Sequence, residues 1–436
     1  MERCVVVVER SVVFGLCGGH KKNKRTALSG TKGLPLHAFV SQKSMQRITL
    51  EENKGIPAHL LWMLAILSGV SVANLYYSQP LLGQMAEELH INEFTVNLIP
   101  MMTQIGYAAG LLFIIPLGDL AKRRNIVLTC LSVLIVALIA MGSAQSFGVL
   151  AVAACITGIC SVVPQIFMPL ASQYSTPEKK SQNVGIVLSG LLTGILASRA
   201  ISGLVGAWFG WRTVYFMAAV LILAAIAVIL TAFPNIPTNF SGRYSELMKS
   251  LLTLFREYAD LRLAALRAAI CFGSFLGMWS CLTFKMSGAP FFADSGVIGL
   301  LSLCGITGAL AATFLGKFIH RYGVYRFNLL GASLVILSWM VFAFGQNHYA
   351  TIIIGIVLID IGMQCIQLSN QSTAFSLNPK ASSRINSLFM TCYFLGGAIG
   401  TFIAGTAWQY GGWNGVCAAG AALALIVLLI TLRAQR

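Results

Sequence analysis

The chain has 436 residues, of which 57% are apolar and only 10% charged, with a formal net charge of +16. An average soluble domain carries about 25% charged residues, so this composition excludes a string of soluble domains and points to a chain built for lipid. The eleven cysteines form no CxxC pair and sit nearly all in apolar runs, where a thiol behaves as a small apolar group. Neither they nor the six histidines have ligand spacing, so no disulfide framework, metal or cofactor is expected.

Residues 1–58 read as a basic, disordered leader. Its apolar stretch VVVVERSVVFGLC is interrupted by Glu9 and Arg10 and is too short to span a bilayer; no small-residue cleavage site follows, and Met45 offers an alternative start. Twelve apolar runs come next, at 60–80, 95–117, 126–143, 149–172, 184–206, 213–232, 266–287, 297–318, 327–344, 350–370, 385–407 and 413–432. Each approaches the about 20 residues that a membrane-crossing helix needs. They are continuous rather than alternating, which argues against strands.

If the twelve helices zigzag, 27 of the 30 Lys and Arg fall on one side, in the leader, alternate loops and tail. The other side carries Glu87, Glu88, Glu93 and Asp294. The positive-inside rule then places both termini in the cytoplasm. The basic charge is a topology signal, so no nucleic-acid partner is expected. Between the sixth and seventh runs lies a linker, residues 233–265, with Pro234 and Pro237. Within it Tyr244, Leu247, Met248, Leu251, Leu252, Phe255 and Tyr258 repeat at helical spacing, as in an amphipathic helix lying on the membrane surface. It separates two six-helix bundles, 59–232 and 266–436.

The two halves are repeats. PEKKSQNVGIVLSGLLTGILASRAISGLVGAWFGW from Pro177 matches PKASSRINSLFMTCYFLGGAIGTFIAGTAWQYGGW from Pro379 at a constant offset of 202, pairing Gly194 with Gly396, Gly210 with Gly412 and Trp211 with Trp413. GDLAKRRN from Gly118 matches GKFIHRYG from Gly316 at offset 198. The expected fold is therefore an all-α membrane protein with twelve transmembrane helices in two pseudo-symmetric bundles, with a small-molecule site near mid-membrane between them. Over residues 56–436 this organisation resembles the major facilitator superfamily. ANLYYSQPLL and QLSNQS resemble a bacterial efflux-permease branch near the drug/proton antiporters. The resemblance implies that helices 1, 4, 7 and 10 line a cavity. It also implies that Gly118, Asp119, Arg123 and Arg124, with Arg321 in the second half, form gating loops; anchoring by the positive-inside rule explains the same residues. The chain departs from the family at Lys122, where an acid is usual, and it lacks the span-4 arginine and the span-5 Gly-Pro motif of the antiporters.

Ionisable groups at membrane depth are expensive and mark function. Asp360 and Arg199 lie at similar depths in runs 10 and 5, about 16 and 12 Å from the outer face at 1.5 Å per residue. They are expected to form an ion pair or shared polar network that couples transport to protons, or that simply pins two helices. Gln364, Gln367 and Gln371 extend the face of Asp360, and Gln165 is the repeat mate of Gln367. Asn74 and Ser78, with adjacent Tyr77, give run 1 a polar stripe too. The reading is a non-enzymatic, monomeric secondary transporter: no GxxxxGK[ST], GxSxG or HExxH appears. It works by alternating access with protons as coupling ion, and by the branch resemblance its direction is efflux. A sensor that binds without translocating, or a permease without proton coupling, is the alternative.

Overall fold

A computed structural model describes residues 52–234, 243–308, 322–378 and 381–434. Most of the leader 1–58 and the loop containing Arg321 fall outside these, as does the side chain of Asp119. The described residues form helices and turns, with no strand among them. Among the described residues nine helices are long and apolar enough to cross a membrane, and two shorter apolar ones accompany them. In chain order the spans are α1 (Ala58–Ala73), α2 (Glu93–Phe113), α3 (Arg123–Ser143), α4 (Phe147–Tyr174), α5 (Lys180–Phe209), α6 (Trp211–Ala232), α7 (Ala259–Ser287), α8 (Ser295–Gly308), α9 (Val324–Phe344) and α10 (Tyr349–Leu377). The run Ser382–Arg433 supplies the last two, α11 and α12, on either side of a break at Gly412.

The two repeat-paired glycines work alike. Gly210, between α5 and α6, has φ +81°, and Gly412 has φ +53°. Both lie in the left-handed region, where a side chain is strained, so the chain turns back on itself there. The tryptophan that follows each is buried and pinned. Trp211 Nε1 donates to Glu88 Oε2 at 2.5 Å, and Trp413 Nε1 to the Phe342 carbonyl at 3.1 Å.

Within each bundle, small residues let helices meet backbone to backbone. A Cβ at Gly190 or Gly194 of α5 would strike the backbone of Ala65 or Gly69 of α1. At Gly396 or Gly400 of α11 it would strike Ala269 or Gly273 of α7. Between bundles, α2 packs along α11. Glu93 Oε2 accepts from Trp408 Nε1 at one end at 2.5 Å; Asn97 Nδ2 donates to the Thr401 carbonyl at 3.0 Å; Ser387 Oγ donates to the Leu111 carbonyl at the other end at 2.5 Å. Helix α5 crosses α8, with Gly203 against Ser295 and Gly299.

Three local expectations change. The helix expected over 60–80 stops at Ala73, because the Asn74 amide caps it by donating to the Val70 and Ser71 carbonyls at 3.0 and 3.1 Å. The chain stays buried through a turn and a short 3₁₀ segment, Gln79–Leu81, instead of leaving the bundle at Pro80. The linker helix, Tyr244–Glu257, forms where expected, but its apolar stripe of Leu247, Leu251 and Leu254 is buried against protein. Tyr244 Oη donates to the Phe113 carbonyl in the first bundle, and Ser250 Oγ accepts from Arg384 Nη1 in the second, both at 3.0 Å. Burial holds the Tyr244 hydroxyl above its ordinary pKa, so it remains a donor. Helix α7 also begins at Ala259, ahead of the expected boundary at 266.

Candidate functional site

Arg199 is the centre of the buried polar groups. It sits on α5, which packs against α8, and is 3% exposed. Its Nε donates to Gln79 Oε1 at 2.6 Å. The guanidinium carbon lies over the Tyr76 ring of the first bundle at 4.7 Å and the Trp279 ring of the second at 4.6 Å. Cation–π contacts of this kind are worth about 2 kcal/mol or more when desolvated. Gln79 is held in turn, since its carbonyl accepts from Thr283 Oγ1 of α7 at 2.8 Å. Arginine, glutamine and threonine thus lock α5, the 3₁₀ segment after α1, and α7 together at the end that carries Glu88, Glu93 and Asp294.

Asp360 lies across α8. A Cβ at Gly305 would come within 3.6 Å of both carboxylate oxygens, and one at Gly308 within 2.9 Å of the Asp360 Cβ. A Cβ at Gly299 of the same helix would meet the Arg199 carbonyl. Glycines along α8 therefore let α5 and α10 both approach closely, and this close approach brings the two charged residues into one neighbourhood. The expected ion pair does not form. No hydrogen bond or salt bridge joins Arg199 to Asp360, and Arg199 Nη2 and Asp360 Oδ2 are each buried without a partner among the described residues. The guanidinium is committed to Gln79 and to two aromatic faces, and its charge acts on the Asp360 carboxylate through space, without a bond.

A run of aromatic rings leads from this centre toward the other end. Trp279 contacts Phe275 (centroids 6.5 Å apart), Phe275 contacts Phe272 (6.0 Å), and Phe272 stacks on Tyr393 at 3.8 Å. Phe394 touches Phe272 at 5.4 Å and Tyr107 at 4.3 Å, so the run ends in the first bundle. The glutamines attach to it. Gln165 Nε2 donates to Tyr107 Oη at 3.3 Å, and Gln367 Oε1 accepts from Tyr393 Oη at 3.0 Å. The repeat mates Gln165 and Gln367 thus each engage a tyrosine of the same aromatic run. Gln364 is buried. Gln371 Nε2 reaches Asn386 Oδ1 at 3.4 Å.

Other expected residues are placed elsewhere. Asn74 is a helix cap, Ser78 is buried in the turn, and Tyr77 packs into the first bundle's core with Leu81 and Leu82, whereas its neighbour Tyr76 joins the core cluster that the second bundle shares with Leu75, Tyr107 and Leu111 of the first. Of the gating residues, Arg123 donates to the Gly118 carbonyl at 3.4 Å and to Gln173 Oε1 at 3.2 Å, and Arg124 to the Leu230 carbonyl at 2.7 Å. All of these contacts stay inside the first bundle, so the described contacts form no latch between halves. Sequence reasoning missed Tyr76, Gln79, Trp279 and the aromatic run. Gln79 carried a readable signal, a polar side chain inside an apolar run, but Phe272, Phe275 and Phe394 look like ordinary span residues. Among the described residues no cluster of His, Cys, Asp or Glu could hold a metal.

The model of the Major Facilitator Superfamily matches residues 61–295 and again 289–436, together nearly the whole of both bundles. The chain belongs to the Major Facilitator Superfamily. It is similar to "Uncharacterized transporter YgaY" of Escherichia coli O157:H7, 36% identical over 87% of this chain and 96% of that one. It is also similar to "Probable transporter SCO4007" of Streptomyces coelicolor, 32% identical over 83% and 85%. Among solved structures, a bacterial homolog to the human lysosomal transporter Spinster, in an inward-facing and occupied conformation, superposes with a TM-score of 0.71 at 13% identity, covering 87% of this chain and 97% of that one. At that identity the likeness concerns the fold. Membership makes this superfamily protein a multi-pass secondary transporter of small molecules across a membrane.

Proposed function

We propose that the chain exports a small molecule across the bacterial cytoplasmic membrane in exchange for protons, with both termini in the cytoplasm and the halves 59–232 and 266–436 rocking about the Arg199 centre. The observation that carries this reading is Asp360, an acid buried at mid-helix with one carboxylate oxygen unpartnered. Keeping such a group ionised in low dielectric costs several kcal/mol, so it is poised to take up and give back a proton as its surroundings open and close. The Gln79–Arg199–Thr283 lock supports alternating access. It joins the halves at the end carrying the acidic loops, and its bonds must break for that end to open.

Everted membrane vesicles test this. A compound panel is offered with and without an imposed pH gradient, for the wild type and for Asp360→Asn. The expected result is gradient-driven accumulation of at least one compound by the wild type, and only downhill, gradient-independent movement by Asp360→Asn. Unaltered gradient dependence in that variant refutes the role of Asp360. Binding without movement in either direction favours a sensor.

A further inference from the structure

The substrate class follows from what the Arg199 centre leaves unsatisfied. This inference rests on the transport reading for the place where substrate binds, and on neither its coupling nor its direction. An arginine that only pins helices has its donors paired, because a buried N–H without a partner costs about 1–3 kcal/mol and more when charged. Here Nε is paired with Gln79, while Nη2 is buried and free. The ring beneath it, Trp279, also has its Nε1 donor buried and free. Asp360, the nearest acid, is not bonded to either.

We propose that Arg199 is an anion-recognition residue and that the protein binds organic anions in which a carboxylate is carried on a flat apolar body. The free guanidinium nitrogen and the Trp279 N–H supply donors for the carboxylate. The rings of Phe275 and Phe394, beside the stacked pair Phe272–Tyr393, supply apolar surface for the body. A cation is disfavoured, since it would meet a fixed guanidinium with no carboxylate bonded to it. A neutral polar ligand would bring no charge to the free guanidinium nitrogen. The grip of Tyr76, Trp279 and Gln79 fixes the guanidinium before the ligand arrives, so little rotamer entropy is lost on binding.

Binding to the purified full-length protein in detergent tests the inference without requiring transport. Benzoate and 3-phenylpropanoate are compared with benzamide and benzylamine by ligand-induced shift in thermal unfolding and by quenching of tryptophan fluorescence. The carboxylates are expected to bind about ten-fold tighter than the amide, the scale of one charge-assisted hydrogen bond, and the amine not at all. Arg199→Gln should erase the difference between carboxylate and amide, and Arg199→Lys should retain part of it. Should Arg199→Gln fail to fold, Trp279→Phe, which keeps an aromatic ring and removes the N–H, should weaken the carboxylates several-fold and the amide by less, narrowing the difference between them. Equal binding of amide and carboxylate, preference for the amine, carboxylate preference that survives Arg199→Gln, or no carboxylate-dependent shift overturns the inference. Proteoliposomes separate it from the transport reading. Carboxylates bound but never moved would sink transport alone; movement of neutral or cationic compounds only would sink the anion class alone.

Discussion

The seam between α2 and α4 and the seam between α8 and α10 occupy corresponding places in the two halves, and they are closed differently. In the first, Gly158 of α4 lies so close to the Thr103 carbonyl of α2 that no Cβ would fit. The repeat offset puts Asp360 at the matching position of α10, since 158 + 202 = 360. There the carboxylate sits against Gly305 and Gly308 of α8. Arg199 breaks the symmetry in the same way. Its mate is Thr401 (199 + 202 = 401), whose carbonyl merely accepts from Asn97. Duplication built the scaffold, and the charged chemistry stands where the copies differ.

That comparison is open to attack in several ways. The largest effect is expected from Gly158→Asp, which makes the first seam carry what the second carries. It forces a carboxylate into a backbone contact without the α8 glycines to receive it. Overpacking of about 1–3 kcal/mol adds to several kcal/mol for an unpaired buried charge, so fluorescence-detected size exclusion should find no monodisperse protein. A well-folded Gly158→Asp would mean that the seams are equivalent after all.

Gly308→Ala comes next. Its new methyl meets the Asp360 Cβ, with a destabilisation of about 1–3 kcal/mol by thermal unfolding. Most of that loss should disappear in an Asp360→Gly background, which restores the symmetry, and a double-mutant cycle measures the coupling. Additive losses would show that the two residues do not touch.

The paired tryptophans sharpen the contrast at the turns. Trp211→Phe loses a bond to a carboxylate, worth about 1.5–3 kcal/mol, and Trp413→Phe a bond to a carbonyl, worth about 0.5–1.5 kcal/mol. Unfolding midpoints should fall further for Trp211→Phe. The smallest contribution is the 2.8 Å ion pair between Glu88 and Arg212. Both partners are partly exposed, so it should stay below about 1 kcal/mol and shrink further in high salt; it is read as the salt-dependent part of the loss in Glu88→Gln, the remainder being the weakened bond from Trp211.

Much of this was legible in the residues. Unbroken apolar runs announce spanning helices, because a backbone in lipid has to satisfy its own hydrogen bonds. Gly210-Trp211 and Gly412-Trp413 announce two copies of one turn. Arg199 and Asp360 were conspicuous as ionisable groups far from any loop. Their relation was not legible. Matching depth suggested a pair, but depth says nothing of rotation about the helix axis or of what stands between. Nor could spacing tell Tyr77, which faces its own bundle, from Tyr76, which faces the core shared with the partner bundle.

By itself, then, the sequence determined the solvent, the twelve crossings, the duplication and the identity of the expensive charges, because each follows from local composition or from comparing one stretch with another. Tertiary structure alone decided that Gln79 takes the arginine's Nε, that six rings from three helices form one run, and that the linker helix ties the halves together. Those outcomes depend on which glycines let which backbones approach, a matter of three-dimensional contact between residues far apart in the chain.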